Sequence, residues 1–141
     1  MATTMQVEIV SAEAEIFSGP ATMIFAPAVM GEVGIMPRHT PLITKIKPGE
    51  VRIRTPEGNE EYFFVSGGML EVQPHIVTIL ADTAARAKDI DEAAAIAAKQ
   101  RAEQALADQK GEISLAQAEA ELAEAIAQLK AIQSLRKKTG R

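Results

Sequence analysis

Cysteine is missing from this chain of 141 residues, which excludes disulfide bridges, cysteine-ligated zinc and thiol chemistry together. Histidine is nearly missing. His39 and His75 have no H-x-x-x-H or H-x-E spacing around them, so no metal site is expected and both are read as surface or interface residues. No apolar run reaches the ~18 residues that a membrane span needs. The start, Met1-Ala-Thr-Thr-Met-Gln-Val-Glu8, lacks the basic-then-apolar order of a signal peptide, so a soluble protein of the compartment that makes it is expected. No basic stripe or arginine–aromatic alternation accompanies the net charge of −4, and nucleic-acid binding is disfavoured.

Two further absences are local. All seven prolines and all five aromatics lie before residue 75. Beyond that point alanine takes over, with 18 of the 48 residues from Ala84 to Ala131, and only Gly111 interrupts. A compact first part of about 80 residues followed by a helical second part is the expectation.

The first part reads as short strands. Residues 5–10 alternate apolar and polar with period two, which buries one face. Residues 13–17 follow, closed by Ser18-Gly19-Pro20, then residues 21–25, ending at Pro27. Gly31-Glu-Val-Gly34 is read as a glycine-flanked turn. Residues 41–46, 51–54, 62–65, 69–72 and 76–80 complete the set, and Thr55-Pro-Glu-Gly-Asn59 is a turn in which proline fixes φ and glycine supplies positive φ. Turn signals every 8–12 residues predict an antiparallel β-sandwich.

The second part predicts a two-helix antiparallel hairpin. Asp89-Ile-Asp-Glu92 resembles a capping box for a helix over 91–108, which stops at Lys110-Gly111. Ser114-Leu-Ala-Gln117 opens a second helix that runs to Lys138. Leu115, Leu122 and Leu129 repeat every seven residues, as do Ala118, Ala125 and Ile132. An alanine-rich seam buries little area per residue, so a weakly seated hairpin of strong helix formers could survive detachment. The domain division predicted is residues 1–84 for the sandwich and 85–141 for the hairpin.

Catalytic candidates are poor. Val65-Ser-Gly-Gly68 is no nucleophile elbow, because no helix follows it, and Gly67-Gly68 is read as a tight strand-to-strand turn. Glu60-Glu61 and Glu13 with Glu15 read as solvated faces rather than acid/base pairs. The cluster Arg136-Lys137-Lys138-x-x-Arg141 suits a helix C-terminus by ~0.3–1 kcal/mol and equally suits an acidic partner. No catalytic residue, cofactor or metal is expected.

Ordered motifs then carry a resemblance. Val10-Ser-Ala-Glu13 with Phe17-Ser-Gly19, Gly31-Glu-Val-Gly-Ile35, Pro37-Arg-His-Thr-Pro-Leu42 and Lys47-Pro-Gly49 stand in the first part. Val65-Ser-Gly-Gly-Met-Leu-Glu-Val-Gln-Pro74 runs on into Thr78-Ile-Leu-Ala-Asp-Thr-Ala84, and Asp89-Ile-Asp-Glu-Ala93 opens the helical part. The chain resembles, over essentially its whole length, the epsilon subunit of the bacterial F-type ATP synthase. That resemblance implies a subunit without an active site, on the cytoplasmic side of the inner membrane and peripheral as part of a proton-translocating complex. Its sandwich would join the gamma subunit to the c-ring, and its hairpin would extend into the catalytic alpha/beta hexamer and inhibit ATP hydrolysis.

By the same resemblance Glu32 faces the c-ring and His39 lies near gamma. Lys130, Arg136, Lys137 and Lys138 meet acidic loops of the hexamer. Where the family often has Pro-Gly-His, this chain has Pro37-Arg38-His39, so Arg38 is mildly strained if the position needs positive φ. Members that bind ATP use Ile/Leu-Asp-x-x-Arg-Ala with arginines on the second helix. Here Ile90 and Asp91 match, but Ala94 replaces the arginine, and Glu124 and Gln128 fall at the second-helix positions. No useful ATP binding is expected. Two other readings are an ATP-sensing hairpin, opposed by Ala94, and an unrelated adaptor with helices on a β-base, which leaves the ordered motifs unexplained.

Overall fold

A computed structural model describes residues 3–108 and 112–138. Ten strands come first: β1 Met5–Ser11, β2 Glu15–Ala21, β3 Met23–Ala28, β4 Gly31–Ile35, β5 Leu42–Ile46, β6 Gly49–Arg54, β7 Glu60–Val65, β8 Gly68–Val72, β9 Ile76–Ala81 and β10 Ala84–Arg86. A single 3₁₀ turn, Ala87–Asp89, leads to α1 Glu92–Asp108 and α2 Glu112–Lys138.

The strands form a sandwich. One half runs β10-β7-β6-β3-β4 and the other β5-β8-β9-β1-β2, joined where β3 meets β5 at the Ala28–Ile46 pair, with Val29 N–H donating to the Lys45 carbonyl and Lys47 N–H to the Pro27 carbonyl. All neighbours are antiparallel except β1 and β9, which pair in parallel from Gln6–Ile76 to Ser11–Ala81. Alternation decides the core. Val7 and Ile9 on β1, Val51 and Ile53 on β6, Phe63 and Val65 on β7, and Val77 and Ile79 on β9 are fully buried between the sheets. Phe17 meets Phe63 edge-on at 5.5 Å between centroids.

Several local expectations need correction. Ser18-Gly19-Pro20 does not close a strand but continues β2, which pairs with β1 alone among the described residues, so Pro20 stands on an edge where its missing N–H costs no ladder bond. Pro27 likewise lies inside β3, opposite Glu32. Gly31-Glu-Val-Gly34 is a strand, not a turn; the reversal is at Val29-Met30. The β7–β8 connection has Gly67 at φ +130° and Gly68 at φ +136°, and a Cβ on Gly68 would fall on the Leu80 carbonyl. Arg38 adopts φ +67°, and its N–H donates to the Pro74 carbonyl at 2.8 Å.

The entry to the hairpin is also differently built. Residues 84–86 add a strand to β7, and Arg86 anchors it: Nη1 lies 2.8 Å from Glu61 Oε1, Nη2 donates to the Ile16 carbonyl at 3.1 Å, and the guanidinium faces the Phe63 ring at 5.2 Å. Asp89 belongs to the 3₁₀ turn. Asp91 caps α1 instead, its Oδ1 accepting the Ala94 N–H at 3.1 Å. α2 begins at Glu112, two residues before Ser114. The predicted stop at Lys110-Gly111 lies outside the described residues.

Candidate functional site: the seat of the second helix

The sequence Tyr62-Phe-Phe-Val65 is apolar on both faces of one strand, which requires cover on both. Phe63 and Val65 point into the sandwich. Tyr62 and Phe64 point out, and α2 lies on them. The result is a second cluster, Tyr62, Phe64 and Ala87 against Ala127 and Ala131, flanked by Ile90 and Leu135 and separate from the sandwich core. Ala127, Ala131 and Leu135 are spaced by four, so they form one stripe of the helix. Each buried alanine methyl contributes only about 0.8 kcal/mol, so the seat is held far less strongly than the core beneath it.

A different stripe of α2 serves α1. Ala118, Ala125 and Ile132 are buried but stand outside the seat, as do Ala95 and Ala102 on α1, so the two helices cover one another through the small residues of the predicted seven-residue repeat. Leu115, at the start of the companion repeat, is 37 % exposed. Arg136 Nη2 and Glu92 Oε1, 2.6 Å apart, close the open end of the pair.

Charge rims the seat. A cleft of about 360 Å³ between β4, β6, β7 and α2 is lined by Glu32, Glu50, Arg52, Tyr62, Lys130, Ser134 and Lys137. Arg52 stacks over Phe25 at 4.2 Å, with Nη2 3.4 Å from Glu32 Oε1 and Nε 3.8 Å from Glu50 Oε1. Glu50 is only 9 % exposed, and its Oε2 has no hydrogen-bond partner among the described residues. Burial pushes its carboxyl above the ordinary 4.5, while Ser134, Arg52 and Lys130 pull the other way. On the opposite rim Tyr62 Oη donates to Glu60 Oε1 at 3.1 Å, and burial first and Glu60 second raise its phenol above the ordinary 10.0.

The structure therefore brings Glu32, Lys130 and Lys137 into one cleft, with Arg136 on the neighbouring α1 contact. The Lys138 side chain lies outside the described residues. His39 is elsewhere, after β4, with Nδ1 donating to the Thr40 carbonyl at 2.7 Å. Glu124 and Gln128 line a groove of about 340 Å³ between the helices with Ala98, Arg101, Glu121 and Ala125. Asp91 is engaged as a cap, Ile90 packs at the seat, and Ala94 is exposed. Sequence reasoning missed Glu50, Arg52, Ser134 and Arg86. The doubly apolar strand at residues 62–65 was the available signal that a helix returns to that face. No group of three or more His, Cys, Asp or Glu converges to hold a metal among the described residues, and no helix there is long and apolar enough to cross a membrane.

Fold and seat together define a two-part protein: a β-sandwich with a helical hairpin resting by one helix on one outer face. Family profiles match both parts, "ATP synthase, Delta/Epsilon chain, beta-sandwich domain" over residues 4–87 and "ATP synthase, Delta/Epsilon chain, long alpha-helix domain" over residues 88–133. The chain belongs to this family of ATP synthase subunits, among the epsilon chains. The ATP synthase epsilon chain of Nitrosococcus oceani is 74% identical over 140 residues, covering 99% of this chain and 100% of that one. That of Halorhodospira halophila is 60% identical over 141 residues, with 99% of each covered. In fold the chain is similar to one in a mitochondrial ATP synthase structure from Euglena gracilis that contains OSCP, F1 and c-ring. The TM-score there is 0.82 at 20% identity, over 92% of this chain and 81% of that one.

Proposed function

We propose that this chain is a non-catalytic rotor subunit of a proton-translocating ATP synthase. Its sandwich, with β10 as its last strand, links the gamma subunit to the c-ring, and its hairpin, from residue 88 onward, restrains ATP hydrolysis when it leaves the seat. The observation that carries this reading is the separation of the seat from the sandwich core: the hairpin rests on an alanine-rich, charge-rimmed face that can be vacated without opening the core. The other half of the sandwich offers a surface for partners. Ile43 on β5 and Leu80 on β9 are more than half exposed there, and Val29, Met30 and Met36 flanking β4 extend the apolar surface at the edge of the first half. The Euglena structure is described as containing F1 and c-ring, and a Tetrahymena thermophila structure with a similar chain is described as central stalk and c-ring.

In this reading Glu32 contacts the c-ring and His39 the gamma subunit. Lys130, Arg136, Lys137 and Lys138 reach acidic loops of the alpha/beta hexamer once the hairpin extends. In this reading the subunit lies on the cytoplasmic face of the membrane, peripheral as part of the complex. On the same reading the chain has no useful ATP binding, since the inter-helix groove carries Glu121 and Glu124 against one arginine, Arg101. The deciding experiment is reconstitution of the catalytic core with the full chain and with a chain lacking residues 88–141. Higher ATPase activity with the shortened chain is expected; equal activity overturns the inhibitory role, and failure of the full chain to bind gamma overturns the assignment as a rotor subunit.

A further inference from the structure

Glu50 stands where the two parts of the molecule meet, on the outward face of β6 under α2. It is nine-tenths buried, yet one of its carboxyl oxygens has no hydrogen-bond partner among the described residues. A carboxylate left in this state weakens whichever conformation buries it, because water would satisfy it fully. The charged and titratable groups facing it come from every element around it. On its own strand is Arg52, with Nε 3.8 Å from Glu50 Oε1; on β4 is Glu32; on β7 is Tyr62, whose hydroxyl is turned towards Glu60. From α2 come Lys130 and Lys137, with the Ser134 hydroxyl, and Lys47 lines the adjoining cleft.

Those cations do not neutralise Glu50 in full. Arg52 is shared with Glu32 and held over the Phe25 ring, and Lys130 is exposed to water. Burial accordingly outweighs the attraction, and the carboxyl holds its proton more tightly than an ordinary glutamate.

We infer that Glu50 is a protonation-controlled release element: protonated, it lets the second helix sit on the sandwich, and ionised, it loosens that seat. This rests on the reading that the hairpin can leave the seat. The sign follows from linkage. The docked form binds the proton more tightly than the released form, in which water reaches the carboxyl. Docking is therefore favoured as pH falls, and weakens as pH rises from the ordinary carboxylate value of 4.5 through the higher docked value. Above that docked value the ionised group keeps the seat weak.

The chain has no cysteine, so Glu57→Cys on the exposed β6–β7 turn and Gln133→Cys on the exposed side of α2 give two unique spin-label sites in the full protein. Pulsed spin–spin distance measurements from about pH 4 to about pH 8 span that window and read the docked fraction. It should fall as pH rises. Glu50→Gln keeps the shape and removes the charge; it should raise the docked fraction at the upper end and abolish the pH dependence. Ser134→Ala lies outside the sandwich and removes a group that favours the carboxylate, so it should lower docking at the upper end. A docked fraction that is flat or rises with pH overturns the inference. So does a Glu50→Gln variant that keeps the parent slope, or one that docks less, which would make the Arg52 pair a stabilising contact. A hairpin that obeys this pH dependence while its removal leaves ATP hydrolysis unchanged would sink the inhibitory reading and leave this one standing.

Discussion

Arg136 Nη2 stands 2.6 Å from Glu92 Oε1, joining the last turn of α2 to the first turn of α1. The proposed function gives the same arginine a second partner, an acidic loop of the catalytic hexamer. Glu92 and that loop then compete for one guanidinium, and Glu92 favours the closed pair. Glu92→Gln should increase inhibition of ATP hydrolysis in the reconstituted complex, and adding Arg136→Ala should reverse the increase. Steady-state ATPase rates of the two variants beside the parent check this. Inhibition unchanged by Glu92→Gln would show that the pair does not hold the hairpin closed.

The sandwich was legible because its signals are local. Strict alternation at residues 5–10 and 51–54 and the turn cluster at 55–59 recur in the structure as β1, β6 and the β6–β7 turn. Errors arose where tertiary context outweighed local signals. Pro20 and Pro27 read as strand breakers, yet the first stands on an edge and the second pairs at the end of β3. Asp89 and Asp91 offer the same capping oxygen, and only the 3₁₀ turn over 87–89 decides for Asp91. The seat itself was half legible. Residues 62–65 announce a covered outer face, but nothing in a period-two pattern says that Glu50 and Arg52, on the nominally wet face of β6, end up beneath a helix 80 residues on.

Ala131 is fully buried at the centre of the seat, against Tyr62, Phe64 and Ala87. Ala131→Leu keeps a good helix former but needs room that the seat lacks, and overpacking of this kind costs roughly 1–3 kcal/mol. The strain falls on docking, because the seat and the sandwich core are separate clusters. Limited proteolysis should cut α2 faster, while the cooperative melting of the sandwich stays in place. A variant in which both change together would mean that sandwich and hairpin form one cooperative unit.

Arg38 holds φ at +67°, a conformation that costs a non-glycine residue roughly 1–2 kcal/mol. Its backbone hydrogen bond to Pro74 needs no side chain. Arg38→Gly relieves the strain and returns about 0.5–1 kcal/mol of it through the greater freedom of the unfolded chain. A small net stabilisation is left, visible as a rise in thermal midpoint of roughly 2–5 °C. A fall in the midpoint would show that the Arg38 side chain contributes contacts worth more than the strain.

Tyr62 is the only tyrosine, so its phenolate absorbance reports on the seat alone. Burial raises its ionisation above 10.0, and the hydrogen bond to Glu60 and the charges of Glu60 and Glu50 raise it further, against Arg52. The neutral phenol is the form that the docked state prefers. Its contribution to docking is therefore complete below the ordinary tyrosine value and is lost as pH rises through the docked one. In the full chain the titration midpoint should lie above that of free tyrosine. Ala131→Leu should lower it by letting water in, and Glu60→Gln should lower it by removing the carboxylate that accepts the phenolic proton. If Glu60→Gln shifts the midpoint and Ala131→Leu does not, the leucine is accommodated with the helix still seated, and the packing estimate for that position is wrong.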